Sequence, residues 1–345
     1  MVLCNKRVPV VGNDGIPRMP TKASRARRWL SQGKAIAKWS KLGIFYVQLT
    51  QNAGCYTQDI GLGLDPVSKY DGLAIVSTKE VLQTGMTELP PDIVKKLQQR
   101  RNQRRYRRYR KCRRTECRFD NRGRDKDWLA PSQKSKVEFK LTVIRGLSYL
   151  YPINKSVVED VCFNHYHKRW GKYFSTVEIG KILLYETLVE WFGQLQLVSG
   201  IETAQLRATY GVTKCSDKKK HVVESHAIDA LIITTNEINL TNIEIPSFYV
   251  WRRYQYRRRQ LHKFQFAKGG IRRREGGSNS LNGFKKGDIV LYKNRLARVG
   301  GYMNGKISLN TFDVKSKRFT QHAEPKECIR LYNQKILYTA IPPNC

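Results

Sequence analysis

The chain has 345 residues, 64 Lys and Arg against 28 Asp and Glu, and a formal net charge of +36. That is far more positive charge than solubility requires, and it calls for a polyanionic partner, nucleic acid before any other. Apolar runs such as Ala230–Ile233 are much too short to span a bilayer, so no membrane partner is expected. Six Trp, 18 Tyr and 12 Phe argue against a disordered basic tail.

Eight Cys are scattered without a C-x-x-C pair, which leaves little support for a zinc site and suits free thiols in a reducing, cytoplasmic setting.

Residues 1–52 read as a small α+β unit. "VPVVGNDGIPRMP" predicts two short strands joined by an Asn-Asp-Gly turn. A helix follows with Thr21 as its cap and Gly33 as its stop, then the alternating strand "FYVQLTQ". Lys22, Arg25, Arg27, Arg28, Lys34 and Lys38 make this unit basic.

Residues 53–90 predict three strands in an antiparallel meander. In "IGLGLD", Ile60, Leu62 and Leu64 share one face, while Gly61, Gly63 and Asp65 share the other. Asp65 therefore ends a strand on a face that two glycines keep clear, and a bulky ligand is expected to approach there.

Residues 91–125 carry an arginine run. Eleven of the nineteen residues from Arg100 to Arg118 are Lys or Arg, among them Arg100, Arg101, Arg104, Arg105, Arg107, Arg108, Arg110, Arg113 and Arg114. Neither Gly nor Pro interrupts 92–120, which predicts one long helix charged nearly all round. Flanking phosphates would neutralise it; a solvated face or a localisation signal is the bland alternative.

Residues 126–245 return to globular patterning. Val137, Leu141, Ile144 and Leu147 lie at helical spacing, "SVVEDVCF" is a short buried strand, and "STVEIGKILLYETLVEWFGQL" is an amphipathic helix. "IETAQLRATYG" is expected to form a strand and turn, and "ESHAIDALIITTNEI" a single helix with His226 and Asp229 on one face. Residues 246–283 mix Gly with Arg257, Arg258, Arg259, Arg272, Arg273 and aromatic residues, a composition suited to backbone contact and base stacking. From 284 to 345, alternation with turns every eight to ten residues predicts a small SH3-like β-barrel. Lys285, Lys286, Lys293, Arg295 and Arg298 are its candidate DNA contacts.

In a chain so short of acids, carboxylates within apolar segments stand out. Asp65, Glu159 and Asp229 are the candidates; Asp59, Asp71 and Asp160 are rivals. A meander followed by helix, strand and helix is the ribonuclease-H-like order, in which acids at such positions converge. Converging carboxylates need cations, and an all-oxygen site suits Mg²⁺. Two such ions about 3.5–4 Å apart would serve phosphodiester hydrolysis.

The order "GLGLDPVSKYDGLAIV", arginine helix, "VVEDVCF", "SHAIDAL" resembles the RuvC-type nuclease domain of the IscB/IsrB group of transposon-encoded RNA-guided nucleases. "GIPRMPTKASRARRWLSQGKAIA" is similar to their N-terminal PLMP domain, with Arg18 at a usually apolar position, and "DPVS" places Val67 where glycine is common. The resemblance implies an α/β, RNase H-like core split by an arginine-rich bridge helix, with a small N-terminal domain and a C-terminal barrel that reads a target-adjacent motif. It makes Asp65, Glu159, His226 and Asp229 catalytic, with Asp65, Glu159 and Asp229 holding two Mg²⁺ ions for which Mn²⁺ can substitute. Only 66 residues separate Glu159 from His226, too few for the HNH nuclease domain of IscB, which points to the HNH-lacking IsrB branch. The expected assembly is a monomeric protein with a guide (omega) RNA, nicking the displaced strand of double-stranded DNA. Competing readings are an unguided, structure-selective RuvC-like endonuclease and a nucleic-acid-binding protein with a decayed site.

Overall fold

The computed structural model describes residues 7–90, 98–103, 105, 129–160, 177, 178, 180–217, 220, 222–245, 248–253, 283–311, 317–333 and 336–341. The chain divides into two compact units, one of Met1–Thr57, Gly146–Pro152 and Tyr249–Pro342, the other of Gln58–Arg145, Ile153–Phe248 and Pro343–Cys345.

The first unit begins with β1 (Arg7–Val11), β2 (Pro17–Lys22), helix α1 (Ala23–Ser31), β3 (Ala35–Trp39) and β4 (Phe45–Leu49). These strands form one sheet in the order β2-β1-β4-β3. Val8, Val10, Ala26, Ala35 and Val47 make its core, leaving Arg25, Arg27 and Arg28 exposed on the helix. The expected Thr21 cap is corrected: Thr21 belongs to β2, and Lys22 takes the N-cap position without a side-chain hydrogen bond. Gly33 does close the helix, at φ +70°.

Arg18 is buried, yet its guanidinium reaches Asp14 at 2.6 Å and the Ala53 carbonyl at 3.3 Å. An arginine thus fills an apolar position because acceptors meet it there.

The second unit is built on β5 (Ile60–Asp65), β6 (Tyr70–Ser77), β7 (Val81–Glu88), helix α2 (Pro131–Ser148), β8 (Lys155–Asp160), helix α3 (Lys181–Phe192), β9 (Gln196–Ser199), helix α4 (Gly200–Thr209), the short helix α5 (Val223–His226) and helix α6 (Ile228–Ile238). Its five strands run in the order β7-β6-β5-β8-β9. The predicted meander is present as antiparallel β5/β6 and β6/β7 pairs, while β8 is parallel to β5, and β9 to β8. Parallel neighbours need long crossovers, and α3 lies in the crossover between β8 and β9.

Residues 201–209, expected as a strand, are helical. Ser199 accepts from the Glu202 backbone N–H, and the Glu202 carboxylate accepts from the Ser199 N–H, a capping box that starts α4. The single helix expected over 224–238 is broken at Ala227, which separates α5 from α6.

Of the predicted arginine helix, residues 98–103 and 105 are helical; the remainder, including Arg104, Arg107, Arg108, Arg110, Arg113 and Arg114, lies outside the described residues. So do Arg257, Arg258, Arg259, Arg272 and Arg273 of the basic segment.

The first unit resumes at Tyr249, in β10 (Phe248–Arg253), and continues with β11 (Asp288–Tyr292), β12 (Arg295–Met303), β13 (Lys306–Asn310), β14 (Arg318–Ala323), β15 (Cys328–Asn333) and β16 (Ile336–Ile341). Five of these form an antiparallel sheet in the order β14-β13-β12-β11-β15 around Val290, Ala297, Val299, Ile307 and Leu309. Lys285, Lys286, Lys293 and Arg295 are exposed, but Arg298 is 0% exposed. Arg298 is therefore corrected from a DNA contact to a core residue. Within this unit Trp39 stacks on Tyr332, ring centroids 5.5 Å apart.

Candidate active site

The site is assembled by register and by glycine. In the parallel pair β5/β8, Leu64 lies opposite Val158. The next residues, Asp65 and Glu159, therefore leave their strands at the same level, side by side. The third acid comes from α6. A Cβ on Gly61 would meet Thr234 at 2.7 Å and Ile238 at 2.9 Å, and one on Gly63 would meet Thr234 Oγ1 at 1.7 Å and the Ala230 carbonyl at 2.2 Å. The helix thus runs antiparallel to the strand, Ile238 beside Gly61 and Ala230 beside Gly63. One residue further, Asp229 arrives at the level of Asp65. Gly72, the register partner of Asp65, admits the backbone of His226 and Ala227 in the same way. The glycine face expected to receive a ligand instead receives a helix. Its function is to bring the third carboxylate in.

The outcome is a buried cluster: one ligand atom each from Asp65, Glu159 and Asp229, all within 4.8 Å of one another. At that separation and an effective dielectric of about 20, each ionised pair repels by about 3–4 kcal/mol. Summed over the cluster, this rivals the net stability of a domain, so the site needs protons or cations. Burial, with the Asp65 and then the Asp229 charge, pushes the Glu159 carboxyl up to about 8. Arg207 on α4 pairs with Asp229 Oδ1, and Lys214 pairs with Oδ2. Neither cation was among the sequence-predicted residues, because no spacing rule links them to an acid 15 or 22 positions away.

The rival acids have other partners. Asp160, pointing opposite to Glu159 as strand alternation requires, binds Lys181 at 3.1 Å and accepts from the Tyr185 hydroxyl at 2.9 Å. Asp71 pairs with Lys140 at 2.9 Å and accepts from the Val67 N–H at 2.8 Å, tying down the turn after Asp65. Val67 is not among the residues with positive φ, so this turn does not require glycine. Asp59 accepts from Asn154 at 2.7 Å. His226 is buried but outside the acid cluster, its ring packed 4.8 Å from that of Tyr70.

Three clustered oxygen donors fit hard divalent cations. Among the described residues, no helix is long and apolar enough to cross a membrane, and Cys55, Cys215 and Cys328 are free thiols.

A buried cluster of three carboxylates thus sits in a chain of net charge +36, a pairing that suits a protein acting on a polyanion. Residues 8–174, just under half of the chain, match the family model described as RRXRR protein. The pattern in that name is present as Arg104-Arg105-Tyr106-Arg107-Arg108. A solved structure, "T. thermophilus RuvC in complex with Holliday junction substrate", is 14% identical, with 51% of this chain and 90% of that chain covered at a TM-score of 0.31. No curated protein matches.

Proposed function

We propose that the chain is an RNA-guided DNA nickase with an RNase H-like, RuvC-type core of the IsrB kind. The observation that carries the nuclease part is the convergence of Asp65, Glu159 and Asp229 from two parallel strands and a helix. In this reading the three carboxylates hold divalent ions, Mg²⁺ with Mn²⁺ able to substitute. Such ions supply charge neutralisation for an attacking water and for the leaving oxygen of a phosphodiester.

The protein contributes placement. Leu64 and Val158 fix the level of two acids, Gly61 and Gly63 seat the third, and Arg207 orients it. His226, packed on Tyr70, positions the start of α6.

Guidance by RNA is supported by the net charge of +36, by the arginine run and by the match to the RRXRR model, a family associated with IscB/IsrB-type proteins. Arginine suits a helix laid along phosphates because its planar fork grips them bidentately. Base pairing then selects the target, and the exposed basic side chains of the C-terminal sheet read a short duplex motif beside it.

The test is to sequence RNA that copurifies with the protein and to supply a plasmid complementary to its variable end, with Mg²⁺. The expected product is a nicked circle that requires both complementarity and Asp65. Nicking of branched DNA without RNA would favour an unguided endonuclease. RNA and DNA binding without cleavage would favour a decayed site.

A further inference from the structure

The acid pocket carries a cation of its own. Both oxygens of Asp229 are engaged, Oδ1 by Arg207 and Oδ2 by Lys214, and the Asp229 side chain is 0% exposed. The two partners are built differently. Arg207 stands on α4, whose capping box fixes the helix start, and its side chain is 21% exposed. Lys214 lies in the irregular segment after that helix, and its side chain is 34% exposed. That segment is itself placed: the Cys215 N–H donates to the Glu224 carbonyl at 3.0 Å, and the Ser225 hydroxyl donates to the Asp217 carbonyl at 2.9 Å. The lysine is thus anchored to the residues just ahead of His226 and Asp229, while its four-carbon stem has a path to solvent.

Lys214 meets the acid pocket through Asp229, and Asp65, Glu159 and Asp229 each place a carboxylate oxygen within 4.8 Å of the others. The Lys214 ammonium therefore feels all three carboxylates. A divalent ion that uses Asp229 meets a site already neutralised by a monovalent one. Two cations sharing one carboxylate oxygen repel strongly at so short a range. Lysine, a flexible point charge, is the partner able to leave; the planar guanidinium on a helix is the one suited to stay.

We propose that Lys214 is the exchangeable counter-cation of the acid triad: it neutralises Asp229 while no divalent ion is bound and gives up Oδ2 when one enters, Arg207 remaining as the fixed partner. This rests on the reading of the triad as a metal site. It gives the lysine a definite energetic role, keeping three like charges together in the metal-free protein at the expense of metal affinity.

The experiment titrates Mn²⁺ and Mg²⁺ into full-length wild type, K214M, K214Q and K214R, following binding by calorimetry and by metal-dependent thermal denaturation. The neutral variants are expected to bind the ions about tenfold tighter or more, to melt lower without metal, and to gain more from it. K214R keeps the charge and is expected to bind close to wild type. A lysine that merely supported the pocket would predict the reverse, since a loosened pocket binds metal more weakly. Equal or weaker metal binding by both K214M and K214Q would overturn the proposal, as would tightening in K214R equal to that in K214M. If wild type itself shows neither heat of binding nor a thermal shift, the metal-site reading of the triad fails first. Equal binding by wild type and the neutral variants sinks the exchange alone.

Discussion

Gly63 lies directly against the backbone of Ala230: a Cβ at Gly63 would stand 2.2 Å from the Ala230 carbonyl oxygen. Neither residue bears a charge, yet their close approach sets how far Asp229 reaches toward Asp65. Gly63→Ala is expected to push α6 off the sheet, cost about 2 kcal/mol or more of stability as an overpacked core does, and abolish Mn²⁺ binding with every acid still in place. Thermal denaturation with and without Mn²⁺ checks it. A G63A protein with wild-type metal affinity would show that the helix does not set the third ligand.

Glu159 and Asp160 are adjacent acids on opposite faces of β8, and they are expected to part company on mutation. Glu159→Gln, like Asp65→Asn and Asp229→Asn, should remove both metal-dependent nicking and the thermal stabilisation by metal. Asp160→Asn should keep both, losing only a partly exposed ion pair with Lys181 worth about 1 kcal/mol or less. His226→Ala should slow nicking less than any of the triad changes, since His226 stands outside the acid cluster. Nicking rates at saturating Mg²⁺ decide the order.

The arginine run is tested through salt. Replacing Arg104, Arg105, Arg107 and Arg108 by Gln should weaken guide-RNA binding, and each phosphate left without its arginine should lower the slope of log K against log salt by about 0.7–0.9. Filter binding between low and physiological salt measures it. An unchanged slope would make the run a solvated face.

The C-terminal sheet belongs to the same compact unit as the N-terminal residues, and Trp39 stacks on Tyr332 within it. Point changes therefore test motif reading more cleanly than removal of 284–345. Lys293→Ala with Arg295→Ala should reduce motif-dependent nicking on a plasmid library with randomised flanks while sparing RNA binding. Removing a side chain that reads a base edge would relax preference by about 1–3 kcal/mol per base pair, whereas removing one that grips phosphate would weaken all flanks alike. Arg298→Ala should instead lower stability, because Arg298 is fully buried. Unaltered flank preference in the double variant would move the search to other basic surfaces.

Much of this protein is local enough to be legible in its sequence. The charge, the arginine run, the meander and the acids in apolar segments follow from composition and from the two-residue and 3.6-residue periods. Asp65, Glu159 and Asp229 stand out because their neighbours are apolar. What periodicity misses is how segments meet. "SGIETAQLRATYG" opens on a capping box, Ser199 with Glu202, that its apolar spacing hides, and a helix results. Asp160 is indistinguishable from Glu159 until the register of β8 against β5 turns one toward Asp65 and the other toward Lys181. Gly61 and Gly63 read equally well as room for a ligand or room for a helix, and only the packed helix decides. Arg207 and Lys214 have no signature at all. Their role exists because the chain folds back on itself and leaves a buried carboxylate that must be neutralised by whatever cation the tertiary structure brings within reach.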